Sequence, residues 1–276
     1  MTLAAVAQFC ANEVLSRNRQ ICVDLIRRAA AGNAKAVFLP EASDFIGKDK
    51  NEVLRLTSEA EEPFINGICQ AAKQNDIWVS VGLHGKSSEA RVYNSHILVS
   101  PQGQIAANYR KIHLFDVDIK GGARLMESEG TIPGTEIGSP VQTSIGKIGL
   151  QTCYDLRFAE LSIIQRARGA DILTYPSAFT VKTGDAHWAS LLRARAIETQ
   201  TYVIAAAQAG QHNESRASYG HAMIVDPWGE IVAHCDSSES EPTLAFAEID
   251  LKYMESIRQQ MPVMEQRRND LYPTLK

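Results

Sequence analysis

The sequence is poor in cysteine, and the five it has, at positions 10, 22, 69, 153 and 235 of 276, form no C-x-x-C pair and no short paired spacing. Such a pattern supports neither a disulfide framework nor a structural zinc site, and it fits a reducing compartment, the cytoplasm. An excess of one charge is lacking too. With 28 basic and 32 acidic residues the net charge is -4, and the arginines form no basic run. That balance argues against nucleic acid or an anionic membrane as a partner. No apolar run is long enough to span a bilayer: the longest uncharged stretch, residues 199–213, contains Gln and His and falls short of the ~18 apolar residues needed. Residues 3–9 are apolar but follow no basic region, so they read as a first strand and not as a signal peptide. Residues 273–276 match no common retention or lipidation signal. No Pro/Gly/Ser-rich linker and no block of charge divides the chain, so residues 1–276 are expected to form one domain. The only low-complexity patch, residues 237–242, reads as a surface turn between strands.

What is present is an alternation of strands and helices, in a chain 45% hydrophobic and so able to bury a large core. Strands are expected at 3–9, 35–39, 77–83, 92–99, 172–175, 202–208, 221–225 and 244–249, and helices at 16–31, 63–74, 158–168, 183–199 and 251–260. Gly32 stands where a helix C-cap belongs, and Pro63 suits a first helical turn. Residues 97–106 and 224–233 are each an apolar strand, a Pro-x-Gly turn and a second apolar strand. Proline presets such a turn and glycine supplies its positive φ, so both read as hairpins. Two sheets packed face to face, with helices on their outer sides, would bury this pattern.

Three strand-like segments stop at an ionisable residue: Val37-Phe-Leu-Pro-Glu41, Ile105-Ala-Ala-Asn-Tyr-Arg-Lys111 and Lys147-Ile-Gly-Leu-Gln-Thr-Cys153. The last runs straight into the polar turn Tyr154-Asp-Leu-Arg157, as a nucleophile elbow does. Taken singly, a free cysteine is usually a buried small hydrophobe and a terminal Glu or Lys is usually solvated. Together they are expected to bring carboxylate, ammonium and thiol to one sheet edge. The segments Phe38-Leu-Pro-Glu41-Ala, Tyr109-Arg-Lys111-Ile-His-Leu-Phe-Asp116 and Cys153-Tyr-Asp-Leu-Arg157-Phe-Ala-Glu160 resemble the Glu, Lys and Cys motifs of the nitrilase superfamily of carbon-nitrogen hydrolases, in order and in approximate spacing. The resemblance continues through Tyr175-Pro-Ser-Ala-Phe, Thr183-Gly-Asp-Ala-His187-Trp188, Arg193-Ala-Arg195-Ala-Ile-Glu198 and Tyr219-Gly-His221-Ala-Met-Ile-Val-Asp-Pro-Trp228-Gly. It is strongest to the branch that contains deaminated glutathione amidase and omega-amidase. It implies a four-layer αββα sandwich, a homodimer, and a catalytic triad of Glu41, Lys111 and Cys153. It also implies an auxiliary role for Glu127, which matches in position a further glutamate beside the triad, where it would orient Lys111 or the substrate amide. Otherwise Glu127 is a solvated loop acid.

These residue types prescribe a chemistry. A free thiol has a pKa near 8.5 and needs a base or a cation to become a nucleophile. Glu41 can take the Cys153 proton, while Lys111 and the Tyr154 N–H can hold the oxyanion. The same carboxylate can then protonate the departing amine and activate the water that cleaves a thioester. No metal or organic cofactor is required. A small-molecule amide is the expected substrate, deaminated glutathione by resemblance. An omega-amide, an N-carbamoyl group or a nitrile fits the same motifs, and an inactive binding module would be expected to lack one of the three residues.

Substrate recognition is less determined. Arg157, four residues past the nucleophile, either clamps a substrate carboxylate or pairs with Asp155 or Glu160. Thr183 either caps a helix whose free N–H groups receive an anion or does nothing more than cap it. His187 either binds substrate or is a satisfied core histidine, and no second histidine at ligand spacing supports a metal. Trp188, Leu191, Leu192 and Arg195 share a helical spacing that marks a core face. In the tail, residues 261–273 are aperiodic yet carry Met, Val, Leu and Tyr. Residues 262–276 are therefore expected to lie against a partner subunit, the alternative being a tail packed on its own.

Overall fold

The structure, a computed structural model, describes residues 1–118, 124–235, 241–271, 273 and 275. Residues 237–240 of the expected surface turn, and residues 272, 274 and 276 of the tail, lie outside them. In chain order the elements are β1 (Thr2–Phe9), α1 (Leu15–Ala31), β2 (Ala36–Phe38), α2 (Lys50–Asn75), β3 (Trp78–Gly85), β4 (Val92–Val99) and β5 (Ile105–Arg110). Then follow β6 (Asp116–Asp118), β7 (Arg124–Met126), β8 (Thr131–Ile132), β9 (Val141–Thr143), β10 (Gly146–Leu150), α3 (Ala159–Ala167), β11 (Ile172–Thr174), α4 (Val181–Thr199) and β12 (Tyr202–Ala205). The chain closes with β13 (Ala207–Gln211), β14 (Ala217–Tyr219), β15 (Met223–Val225), β16 (Ile231–His234), β17 (Thr243–Ile249) and α5 (Leu251–Gln260).

The strands form a nine-stranded sheet in the order β14-β13-β1-β2-β3-β4-β5, with β17 also on β1 and β8 on β4, and a six-stranded sheet, β16-β15-β12-β11-β10-β9. Strand alternation decides what each face buries. Ala4 and Val6 of β1, with Ala36 and Phe38 of β2, join the core shared with the second sheet, whereas Ala5, Ala7 and Phe9, with Val37 and Leu39, join a second core with Cys22, Leu25 and Ile26 of α1 and Phe64 and Ile68 of α2. On the far side Trp188, Leu192 and Ala196 of α4 cover the second sheet. The layers thus run helices, sheet, sheet, helices, the expected αββα sandwich. Both Pro-x-Gly hairpins form, with Gly103 at φ 77° and Gly229 at φ 90°.

Two expected elements differ. The second helix begins at Lys50, not at Pro63: Asp49 caps it by accepting the Glu52 N–H at 2.9 Å, and the buried stripe Leu56, Ala60, Phe64, Ile68 runs through the proline. Pro63 and Glu59 are exposed, so the carbonyl that loses its donor faces water and the helix tolerates the ring. The expected strand 202–208 is two strands. β12 belongs to the second sheet and β13 to the first, and the chain crosses between them at Ala206, where the Ser177 N–H donates to the Ala206 carbonyl at 2.9 Å and the Gln208 N–H to Ser177 at 2.8 Å. Residues 202–209 are buried on both sides of the crossing, so one buried run serves two sheets.

Candidate active site

The three ionisable strand ends do meet, but across the seam between the two sheets and not at one sheet edge. Glu41 follows β2 and Lys111 follows β5 in the first sheet, while Cys153 follows β10 in the second. Close backbone packing sets Glu41 in place. A Cβ on Gly82 would lie 2.5 Å from Glu41 Cα, so only glycine lets β3 pass this close. Gln208 Nε2 donates to the Glu41 carbonyl at 2.9 Å, and Ala42 beyond it has φ 51°.

The Glu41 carboxylate accepts from Asn94 Nδ2 at 2.7 Å and Lys111 Nζ at 3.1 Å through Oε1, and from the Ala178 N–H at 2.8 Å through Oε2. Lys111 Nζ also donates to Glu127 Oε2 at 2.8 Å and Oε1 at 3.1 Å. Glu127 is no solvated loop acid, for it also accepts from Asn94 Nδ2 at 3.0 Å and the Phe115 N–H at 2.7 Å. Lys111 and Glu41 are buried, and the cluster of two carboxylates and one ammonium carries a net negative charge.

Burial and the Glu41 charge fix the resting state of the thiol. Burial pushes the Cys153 pKa up and the Glu41 charge pushes it further, against the pull of Lys111 and of the Ala178 N–H. Burial alone would raise the Glu41 carboxyl, but Lys111, Asn94 and the Cys153 thiol together hold it below its ordinary value. Burial would likewise lower Lys111, and the charges of Glu127 and Glu41 overcome it to hold the ammonium protonated. The resting cluster is therefore carboxylate, ammonium and neutral thiol, with the thiol hydrogen-bonded to Glu41.

Cys153 opens a 3-10 turn, Cys153–Arg157, at φ 46°, a conformation L-residues adopt at a cost and one that aims the thiol out of the strand. Its N–H donates to the Pro176 carbonyl at 3.1 Å. The Tyr154 N–H has no acceptor among the described residues. Asp155 turns inward, where it accepts the Tyr109 hydroxyl at 2.7 Å, the Thr152 N–H at 2.9 Å, and the backbone and Nδ1 of His113 at 3.1 and 2.8 Å. Behind the elbow His96 is buried between the sheets. Its Nδ1 donates to the Gln151 carbonyl at 3.0 Å, and its Nε2 accepts the Ser80 hydroxyl at 2.7 Å.

The residues assigned to recognition fall in two places. Arg157 is half-buried and has no carboxylate within 4.0 Å among the described residues, so neither Asp155 nor Glu160 pairs with it. Both of its terminal nitrogens lie 3.3 Å from His187 Nδ1, with the guanidinium 5.5 Å from the Phe179 ring and 5.8 Å from that of Tyr154. His187 is exposed on α4 and is no core histidine. Thr183 does not cap: α4 starts at Val181 after Thr180, and the Thr183 hydroxyl bonds the Thr180 hydroxyl at 2.8 Å. Trp188, Leu192 and Arg195 are buried as the helical spacing predicts, and Leu191 is half-buried.

Asn94, Ala178, Asp155 and His96 were not legible as site residues. The one available signal was polarity on the inward face of β4, where Asn94 and His96 interrupt an otherwise apolar alternation.

The profile of the carbon-nitrogen hydrolase family matches residues 3–259. The bovine (Bos taurus) deaminated glutathione amidase is 47% identical over 280 residues, spanning 100% of this chain and 84% of that protein. The probable hydrolase nit2 of Schizosaccharomyces pombe is 48% identical over 278 residues and is covered end to end, 100% of each. Among solved structures, the NitFhit protein of C. elegans superposes with a TM-score of 0.94 at 48% identity, covering 99% of this chain and 66% of that one.

Proposed function

Because the chain belongs to the carbon-nitrogen hydrolase family and is a hydrolase of carbon-nitrogen bonds, we propose that it is a thiol amidase. It hydrolyses an amide of a small carboxylate-bearing molecule, with deaminated glutathione the favoured substrate. The Glu41–Lys111–Glu127 cluster against the Cys153 thiol carries the reading. As Cys153 Sγ attacks the amide carbon, its proton passes to Glu41. The carbonyl oxygen becomes an oxyanion held by Lys111 Nζ and the unpartnered Tyr154 N–H. Collapse of the tetrahedral adduct breaks the C–N bond, Glu41 returns the proton to the leaving nitrogen, and the amine, or ammonia from a primary amide, departs from a Cys153 thioester. Water then gives a proton to Glu41 and its oxygen to the acyl carbon; the C–S bond breaks, the acid leaves, and Glu41 returns the proton to the Cys153 sulfur. While Glu41 is neutral, Glu127 remains as counter-ion to Lys111, so the ammonium is never buried alone.

Arg157 supports a substrate carboxylate. Among the described residues it has no acidic partner; it is lodged between two rings and the exposed His187, and its planar fork suits a carboxylate in two parallel bonds. Thr183, one turn from His187, lines the same end of α4.

We place this chemistry in a single domain over residues 1–276, in the cytoplasm and in a homodimer. Free cysteines at 10, 22, 69, 153 and 235 favour a reducing compartment, and no helix among the described residues is long and apolar enough to cross a membrane. Trp228 and Leu271 are 57% and 70% exposed, and Ile197, against the turn that carries Trp228, is 45% exposed; apolar side chains of this size gain from a partner's cover.

Release of the amine tests the reading: ammonia from a primary amide, cysteinylglycine from deaminated glutathione. Deaminated glutathione should be hydrolysed with a kcat/KM about 10- to 100-fold above that of the same amide with its carboxylate esterified, since a charge-assisted pair contributes ~1.5 to 3 kcal/mol. Equal rates would remove the carboxylate from the substrate description, and faster hydrolysis of an N-carbamoyl amino acid or a nitrile would replace the amide.

A further inference from the structure

Asp155 is a wholly buried carboxylate with no place in the reaction steps, yet it accepts four hydrogen bonds. Their sources are arranged about the reacting groups. Tyr109 lies two residues before Lys111 and His113 two residues after it; Thr152 precedes Cys153, and Asp155 itself follows Cys153 by two. One carboxylate therefore grips the Lys111 turn from both sides and the elbow from both sides, across the seam between the sheets. The Tyr109 hydroxyl also accepts the Ile112 N–H at 3.3 Å, which closes the turn around Lys111, and the His113 ring lies flat on Phe158 at 3.7 Å. Burying a carboxylate is expensive even when it is well bonded, and apolar packing would hold two loops together at lower cost. What packing does not supply is a fixed direction and distance.

We infer that Asp155 is a positioning residue that sets the placement of Lys111 Nζ and the Tyr154 N–H relative to Cys153 Sγ, and so the quality of the oxyanion site. The inference rests on the proposed role of those two donors.

The test separates steps that form an oxyanion from one that does not. Acylation by deaminated glutathione, followed in a single turnover, needs the donors; reaction of Cys153 with methyl methanethiosulfonate needs only the thiol and its base. Asp155→Asn must turn an amide N–H toward another N–H donor, because both carboxylate oxygens face one. Tyr109→Phe and His113→Ala remove one donor each and are gentler on folding. Acylation should fall on the order of 10²-fold in Asp155→Asn, the scale of an ångström-sized misplacement, and by about 10-fold in the other two. KM and thiosulfonate labelling should each stay within about 3-fold of the wild type, because the substrate contacts and Glu41 remain and only the small pull of Lys111 on the thiol changes. His113→Asn, which keeps a donor near the place of Nδ1, should recover most of the rate. Labelling that falls in step with acylation, or acylation at the wild-type rate in Tyr109→Phe and His113→Ala, overturns the inference. Lys111→Met is the control. If it acylates slowly while the Asp155 partners do not matter, only the positioning role fails; if it acylates normally, the oxyanion reading of Lys111 fails and the positioning role with it.

Discussion

Lowering the pH from 7.5 to 5 should cost the folded protein about 2 kcal/mol through His96 alone. The histidine is fully buried between the sheets, and burial lowers its pKa from 6.5 to about 4 against the opposing effects of the Gln151 carbonyl and Glu41. Its folded pKa lies below the unfolded one, so its stabilising contribution is complete above pH 6.5 and is lost as the pH falls toward 4. At pH 5 the unfolded chain binds the proton and the folded one does not, a difference of ~1.5 pKa units. Protonation would also put an N–H where the Ser80 hydroxyl now donates. His212 is buried and depressed to about 4 as well, so the wild type should lose roughly twice as much over this range. Glu41, held below its ordinary 4.5, contributes stability above that value and loses it only at lower pH, outside the window. The assay is urea unfolding at pH 7.5, 6 and 5 for the wild type and His96→Asn, which keeps a donor for Gln151 but does not titrate. The variant should start less stable and lose about 2 kcal/mol less on acidification. Parallel pH curves would refute the reasoning, since His96 would then take up its proton equally well folded or unfolded.

Three further outcomes follow. Glu41→Gln should stop both acylation and deacylation with the fold intact, while Lys111→Met should raise the acylation barrier by ~3 kcal/mol, the worth of an oxyanion donor; single-turnover and steady-state rates separate the two, and normal acylation in Glu41→Gln would reject the base. Gly82→Ala should destabilise by ~1 to 3 kcal/mol and lower turnover, because its Cβ meets backbone at 2.5 Å beside Glu41, whereas Gly138→Ala, with nothing within 4 Å, should do neither. Thermal melts and kcat measured on both would expose an error if the two variants behaved alike. Deleting residues 262–276 should weaken a homodimer seen by sedimentation and leave the Glu41–Lys111 pair formed; a full-length monomer at micromolar concentration would refute the dimer, and an unchanged dimer after truncation would remove the tail's part in it.

What could be read from the sequence follows the range of each signal. Alternation and turn chemistry act over a few residues, so the hairpins around Gly103 and Gly229, the cap at Gly32 and the strand ends at Glu41, Lys111 and Cys153 were visible. A strand that changes sheets at Ala206 was not, because both of its environments are apolar. Pro63 reads as a helix start because sequence does not tell which side of a helix faces water. Asn94 reaches Glu41 over 53 residues and Tyr109 reaches Asp155 over 46, distances at which no local pattern operates. Thr183 reads as a cap in the sequence, whereas α4 adds two residues before it.

The pairing of β1 with β17 has a consequence for synthesis. Thr2 lies opposite Ile249 and Gln8 opposite Thr243, so one edge of β1 is finished by a strand made about 235 residues later. At ~5 to 20 residues per second, that edge waits on the order of 10 to 50 s on the ribosome with its N–H and C=O groups unpaired. Thr2–Phe9 is an apolar eight-residue strand, apt to pair with a neighbouring nascent chain. Its seven partners on β17 make the growing polypeptide dependent on its own late arrival. A ribosome stalled before residue 243 would hold a chain whose elbow and triad residues have all been made, but whose first strand still offers an open edge to its neighbours.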